Sequence, residues 1–341
     1  MNDNVRSQIN ARLSLREPQK ESLRRLIDVL DKIAIAKDID QERALAIVRE
    51  AYSDVTSFER SFPSLCFALA TGVGKTRLMG AFITYLYVTG RSKNFFVLAP
   101  NLTIYEKLIK DFSEGSPKYV FKGIAEFARN VPQIVTGDTY QDGRGLRRSG
   151  DLFAADCIIN IFNISKINSE ARGGNKPRMM RLKEVLGESY FDYLSRLPDL
   201  VLMMDEAHRY RATAGVNAIN ALQPILGLEL TATPKGFNNV IYRYSLGDAM
   251  ADGFVKEPAV ATQANFNAAQ HDAESLERLK LEDGLSVTSS RRHALTSMPV
   301  AQAAIRSIRS CLSLLRASST PRSCATALKR ATSSMGTTRA K

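Results

Sequence analysis

The segment ATGVGKTRLMG, from Ala70 to Gly80, constrains the fold more than any other part of this 341-residue sequence. The apolar run LCFALA precedes it, and a helical pattern from Lys75 to about Val88 follows it. Glycines between a strand and a helix let backbone N–H groups turn inward around an anion. The segment therefore predicts a strand, a phosphate-binding loop and a helix whose N-terminus completes the site.

Further apolar runs alternate with helical stretches along the chain. Strands are predicted at Asn94–Pro100, Cys157–Asn163, Asp199–Glu206 and Leu226–Pro234, and a helix at Leu102–Phe112. Upstream, the segment from Pro18 to Tyr52 has the periodicity of two amphipathic helices. Continuous apolar strands separated by helices indicate an α/β fold with a mostly parallel sheet and helices on both faces.

These patterns divide the chain into three predicted parts: a helical lead-in at 1–55, an α/β domain at 56–283 and a tail at 284–341. The tail contains ten Lys and Arg but no Asp or Glu. The first 283 residues therefore hold 37 of the 47 basic residues and all 35 acidic ones. The net charge of +12 thus reflects the tail, while the body is nearly neutral. We expect most of this Ser-, Ala- and Arg-rich tail to be disordered.

Two interpretations of the tail stay open. The abrupt loss of acids after Asp283 is what a shifted reading frame near Leu285–Thr288 would give. The alternative is a genuine basic tail that binds DNA or a partner. Tails that bind nucleic acid are more often rich in lysine or interleaved with aromatic residues, and this one has no Phe, Tyr or Trp.

The four cysteines and the lengths of the apolar segments indicate the cellular compartment of the protein. Cys66, Cys157, Cys311 and Cys324 show no close pairing, which disfavours a disulfide framework and a zinc site and fits a reducing cytosol. The polar N-terminus lacks the apolar core of a signal peptide. No apolar run is long enough to span a bilayer, so we expect a cytoplasmic protein without membrane contact.

The loop supplies the candidate nucleotide-binding residues. In this interpretation the Lys75 ammonium contacts the β- and γ-phosphates, and the Thr76 hydroxyl is a ligand of Mg²⁺. The alternative is a glycine-rich turn without a ligand, which Lys-Thr after Gly-x-Gly disfavours. The full candidate set is Thr71, Gly72, Val73, Gly74, Lys75 and Thr76.

A second set of candidates follows in LVLMMDEAHRY, where two acids end a buried apolar strand. Ligands of open α/β sheets bind at the carboxyl ends of strands. Asp205 is therefore predicted to hold Mg²⁺, and Glu206 to orient and deprotonate the water that attacks the γ-phosphate. The alternative is a solvated helix cap, for which Asp is also favoured.

The combination of GVGKT, DEAH (Asp205–His208) and TATP (Thr231–Pro234) resembles superfamily 2 DEAD/DEAH-box helicases. Within them, ATGVGKTRLMGAFI, LAPNLTIYEKL (Leu98–Leu108) and GFVKEPAV look most like the motor subunit of type III restriction endonucleases. The resemblance covers about Leu15 to Asp283. It implies a RecA-like P-loop domain that binds ATP and Mg²⁺ and couples ATP hydrolysis to movement on double-stranded DNA.

The resemblance also implies roles for individual residues. Gln19 would contact adenine N6 and N7 bidentately, although a residue after Pro18 at a helix start is an equal alternative. His208, as part of DEAH, joins Lys75, Asp205 and Glu206 in the catalytic set. The remaining implied roles are coupling of hydrolysis to nucleic acid, for Thr231 and Thr233, and contact with the DNA backbone, for Pro100 and Thr103.

The resemblance finally implies what this chain lacks and which partner it would have. Motor helicases contain a second RecA-like domain with arginine fingers, and type III subunits continue into a nuclease domain. The chain has room for neither, so we expect weak Mg·ATP binding and slow hydrolysis, without translocation or cleavage. The intact relative acts with a methyltransferase subunit. Two alternatives are a stand-alone translocase of DNA repair or phage defence, and a non-hydrolysing regulatory module that binds nucleotide.

Overall fold

A computed structural model describes residues 2–140, 156–164, 182–183 and 188–255, together with a few positions between 272 and 283. The chain divides into two units, Met1–Glu257 and Pro258–Lys341. Every helix and strand named below lies in the first unit. The predicted tail at 284–341, with its expected disorder, falls outside the described residues, and the three domain boundaries stay predictions.

A seven-stranded parallel sheet runs through the first unit, in the order β3-β4-β2-β7-β8-β1-β9. Two further two-residue strands, β5 and β6, form a separate antiparallel pair. The nine described strands are β1 Ser64–Leu69, β2 Asn94–Ala99, β3 Gln133–Thr136, β4 Ile158–Asn163, β5 Leu182–Lys183, β6 Glu188–Ser189, β7 Leu200–Asp205, β8 Leu226–Thr231 and β9 Val240–Tyr244.

Helices cover both faces of this sheet, and two buried apolar clusters lie between the layers. The described helices are α1 Asn2–Arg12, α2 Glu17–Lys32, α3 Gln41–Ala51, α4 Lys75–Val88, α5 Leu102–Phe112, α6 Ala125–Arg129, α7 Tyr190–Arg196, α8 Thr213–Ala221 and α9 Leu246–Ala251, with a short 3-10 helix at Ala207–Tyr210. The predicted α/β fold with a parallel sheet and helices on both faces is confirmed.

The first three helices pack onto the same core as the sheet. On α2 the apolar face is buried, including Leu23, Leu26 and Leu30. These side chains belong to one cluster with Leu69 of β1 and Phe82 of α4. Burial of each such side chain contributes about 1.5–3 kcal/mol, so the lead-in helices stabilise the layer that carries the loop.

The order of the strands brings three distant segments to one edge of the sheet. Strand β8 pairs with β1 on one side and with β7 on the other. In that register Thr231 lies opposite Ala68, and Asp205 lies opposite Leu230. Because parallel strands end at the same edge, the loop after β1, the acids after β7 and the threonines after β8 become neighbours.

Within the described ranges, no helix combines the length and the apolar character that crossing a bilayer requires.

Candidate nucleotide-binding site

The loop after β1 has the backbone conformation that its glycines allow. Gly72 and Gly74 have positive φ angles of 85° and 98°. A Cβ atom at position 74 would lie 2.7 Å from the Nε2 atom of Gln19, so a larger residue does not fit there. Gly74 precedes α4 without a side-chain cap from the described residues, which leaves the first N–H groups of α4 available to an anion.

A cleft of about 340 Å³ lies over this helix N-terminus. It contains most of the predicted nucleotide and metal residues, together with one side of α5. The exceptions are Gln19, which lies outside the lining, and Val73, whose side chain is buried in the core and leaves only its backbone to meet a ligand. The lining residues are Thr71, Gly72, Gly74, Lys75, Thr76, Ile104, Lys107, Leu108, Asp205 and Glu206.

An ion pair joins the loop to the acidic pair. The Lys75 Nζ atom lies 2.9 Å from Glu206 Oε1, and the two side chains are 10% and 20% exposed. Glu206 adopts the left-handed conformation, with φ of 51°, which a residue with a Cβ seldom occupies. Such backbone strain costs about 1–3 kcal/mol and is concentrated at functional sites. Here it directs the Glu206 side chain into the cleft.

Asp205 is nearly buried beside this pair, and its Oδ1 atom accepts a hydrogen bond of 3.1 Å from the Glu206 backbone N–H. Burial raises the pKa of the Asp205 carboxyl, the Lys75 ammonium opposes that rise, and the Glu206 charge adds to it. The carboxylate is thus held in a poorly solvated position where a cation would stabilise its charge.

His208 connects the acidic pair to the threonines after β8. Its Nδ1 atom lies 3.1 Å from Thr231 Oγ1 and 3.2 Å from Thr233 Oγ1. The Thr231 hydroxyl also accepts a hydrogen bond of 3.1 Å from the Thr233 backbone N–H. The same Nδ1 atom is 3.6 Å from Glu206 Oε2. The structure therefore brings together the six residues that the sequence assigned to catalysis and coupling: Lys75, Asp205, Glu206, His208, Thr231 and Thr233.

Gln19 forms hydrogen bonds with the backbone of the phosphate-binding loop. Its side chain is only 1% exposed, and its Nε2 group donates to the carbonyls of Val73 and Gly74 at 3.1 and 2.9 Å. Its Oε1 atom accepts from the Arg16 backbone N–H at 2.8 Å. Both amide hydrogens are thus bound to the loop. A bidentate adenine contact requires one of them to change partner, and that contact stays a prediction.

Pro100 and Thr103 occupy the same edge of the sheet, outside the cleft lining. Pro100 follows β2 and is partly exposed, and Thr103 is exposed in the first turn of α5. Between them, Asn101 caps α5 by accepting a hydrogen bond of 2.9 Å from the Ile104 backbone N–H. Their predicted contact with DNA stays a prediction.

Sequence reasoning missed three charged side chains at this site. Lys107 lines the cleft, and in the sequence only its helical spacing from Ile104 could have indicated this position. Arg16 donates to the Gly72 carbonyl at 3.1 Å, three residues before Gln19. Arg211 donates to a carbonyl just beyond the threonines, at 3.0 Å, and no sequence pattern distinguished it.

A parallel sheet with a glycine loop after β1, an acidic pair after β7 and a threonine pair after β8 defines a RecA-like P-loop domain of the helicase type. The sequence matches the family described as type III restriction enzyme, res subunit, over residues 12–236. This match spans well over half of the chain. The protein belongs to the family of type III restriction enzyme res subunits.

Solved structures of helicase-type ATPases are also similar to the chain. The Sulfolobus solfataricus SWI2/SNF2 ATPase core in complex with dsDNA is 14% identical with a TM-score of 0.33, over 61% of this chain and 34% of that chain. An S. cerevisiae Dbp5 variant bound to RNA and ADP BeF3 is 14% identical with a TM-score of 0.30, over 69% and 51%. The chain thus spans about a third and about half of their lengths. No curated protein matches it.

Proposed function

We propose that the protein binds Mg·ATP and hydrolyses it, as the motor domain of a DNA-translocating enzyme of the type III restriction family. The single observation that carries this proposal is the cleft in which the loop residues Lys75 and Thr76 meet the acids Asp205 and Glu206. A binding protein without hydrolysis has no need of a second acid held beside the phosphate lysine by a strained backbone.

The residues of the cleft fit a triphosphate and a divalent cation. The uncapped N-terminus of α4 and the two left-handed glycines can direct N–H groups at phosphate oxygens. Among the described residues no cluster of three or more His, Cys, Asp and Glu could hold a metal alone. Thr76 and Asp205 would hold Mg²⁺, an ion that keeps several waters and is usually bound by one or two protein ligands together with substrate phosphates. When bound, Mg²⁺ neutralises charge on the transferring phosphoryl group.

Each residue of the cleft then has a separate proposed role in hydrolysis. Lys75 leaves the Glu206 carboxylate and contacts the terminal phosphates. Glu206, released from that ion pair, orients a water molecule and accepts its proton. His208 Nδ1 lies 3.6 Å from the other Glu206 oxygen, and its contacts with Thr231 and Thr233 extend the site to the strand edge. We assign coupling between hydrolysis and nucleic acid to these two hydroxyls.

The adenine contact is proposed for Gln19 because the family resemblance implies an adenine-contacting glutamine at this position. Its two Nε2 hydrogens donate to loop carbonyls, so the contact requires one of them to change partner. Binding of the base would shift one Nε2 hydrogen from the loop to adenine N7. In this way occupation of the base site would alter the shape of the phosphate loop.

Membership of the family supports the proposed partners. They are the backbone of double-stranded DNA, contacted by Pro100 and Thr103, and a methyltransferase subunit. We also propose a cytoplasmic location. The described cysteines, Cys66 and Cys157, are buried free thiols, as is usual in a reducing compartment.

Equilibrium titration of the full chain with ATP in excess Mg²⁺ tests the proposal, with phosphate release measured in parallel with and without duplex DNA. Lys75→Ala should abolish binding, and Glu206→Gln should remove turnover while the nucleotide still binds. Lys110→Ala, an exposed lysine of α5 outside the cleft lining, is the matched control. Unchanged affinity of Lys75→Ala would show that the loop is not the nucleotide site.

A further inference from the structure

We infer that Lys107 of α5 contacts the terminal phosphate of the bound nucleotide and so makes the site prefer a triphosphate to a diphosphate. This inference rests on the proposed nucleotide site and adds a phosphate-contacting residue from a different segment of the chain. The observation behind it is that three residues of α5 line the same cleft as the phosphate-binding loop.

The geometry of α5 directs Lys107 towards the cleft. Ile104, Lys107 and Leu108 all line it, and their spacing of three and four residues places them on one side of the helix. Side chains on a helix also lean towards its N-terminus, and α5 begins at the carboxyl edge of the sheet, just after β2. The exposed Lys107 ammonium therefore projects over the edge where the acidic pair lies.

The pairing of charges in the cleft distinguishes Lys107 from Lys75. Among the described residues that line the cleft, Lys75 and Lys107 are positive and Asp205 and Glu206 are negative. Lys75 is paired with Glu206 at 2.9 Å. Lys107 makes no ion pair within the part of the chain that the structure describes, yet its charge acts on Asp205 and favours the ionised carboxylate. Among the described residues that line the cleft, it is thus the cation without a carboxylate partner and is available to an incoming anion.

The chemistry of phosphate recognition follows from this arrangement. The loop N–H groups at the N-terminus of α4 surround the inner phosphates, and Lys75 contacts the β- and γ-phosphates from the same side. Lys107 lies on the α5 side of the same cleft, where its charge acts on Asp205, the residue that we assign to the cation beside the terminal phosphates. A lysine there forms a charge-assisted hydrogen bond with a non-bridging oxygen that ADP does not have.

The test compares Mg·ATP and Mg·ADP affinities of the full chain by calorimetric titration, using a non-hydrolysable ATP analogue. Lys107→Met should bind the triphosphate about tenfold more weakly and ADP with nearly unchanged affinity, because one charge-assisted contact is lost. Lys107→Arg should restore most of the triphosphate preference. Lys110→Met removes the same charge from α5 outside the cleft and should leave both affinities unchanged.

Three results would overturn the inference. One is an unchanged ratio of the two affinities in Lys107→Met. Another is an equal loss for both nucleotides, which would indicate general attraction rather than contact with the outermost phosphate. The third is the same loss in Lys110→Met. If the wild-type chain binds neither nucleotide, the proposed function itself is wrong, and that outcome is distinct because it requires no variant.

Discussion

Replacing Glu206 by glutamine should strengthen nucleotide binding, even though we propose that Glu206 acts in hydrolysis. Its carboxylate lies 2.9 Å from the Lys75 ammonium, and nucleotide phosphates compete with it for that charge. Glutamine has nearly the same shape but no charge. In the variant, Lys75 therefore does not have to leave a carboxylate before it contacts phosphate.

The size of the effect follows from the geometry of the pair. At a separation of 2.9 Å and an effective dielectric constant of about 20, the Coulomb attraction is about 6 kcal/mol. The side chains are 10% and 20% exposed, so the cost of desolvating the two charges offsets most of that attraction. A net value of about 1–2 kcal/mol remains, which corresponds to a factor of about 5–30 in affinity.

Calorimetric titration with a non-hydrolysable ATP analogue in excess Mg²⁺ measures this difference. The matched control is Glu106→Gln, which removes an exposed carboxylate from α5 outside the cleft lining and should leave affinity unchanged. An affinity of Glu206→Gln equal to or below that of the wild type would refute the reasoning. The ion pair would then not compete with the phosphates.

Three further predictions concern stability and follow from single contacts. Arg60→Met should destabilise the fold by about 3–5 kcal/mol in chemical denaturation, because it strands the buried carboxylate of Glu229; adding Glu229→Leu should recover most of the loss. Gly74→Ala should lower the melting temperature, because its φ is 98° and its Cβ would lie 2.7 Å from a buried amide nitrogen. Hydrogen bonding from Arg24 lowers the pKa of Glu21 from 4.5 to about 2. The ionised Glu21 carboxylate therefore stabilises the fold above pH 4.5, and this contribution is lost as pH falls towards 2. The free energies of unfolding of the wild type and of Glu21→Gln should differ near neutral pH and converge near pH 2.

The elements around the loop could be predicted because their signals are local. Helix α4 spans Lys75–Val88 and helix α5 spans Leu102–Phe112, as the sequence predicted. Both follow short apolar runs, which the glycine loop after one and Pro100 after the other mark as buried strands rather than helices. The unpredicted α1 has a single buried apolar residue, Ile9, and so no helical period to detect. Strand β3 has four residues, too few to distinguish from a loop.

The candidate site also has features that local sequence could predict and features that it could not. Residue type and order alone identified Lys75, Asp205 and Glu206, because phosphate and Mg²⁺ require particular donors in a particular local context. The threonine pair came only from the resemblance to helicases. No local pattern could show that Glu206 adopts a left-handed conformation, or that its carboxylate pairs with Lys75. Those features depend on which strands become neighbours.

What the sequence by itself determined was therefore the set of elements and the chemistry of the loop. The tertiary structure alone decided the order of strands, in which β8 separates β1 from β7, and the closing of the cleft by α5. Apolar periodicity and glycine act over a few residues, so they can be recognised along the chain. Strand pairing and the approach of Lys107 to Asp205 join segments far apart in sequence, and the packing of the whole core selects them.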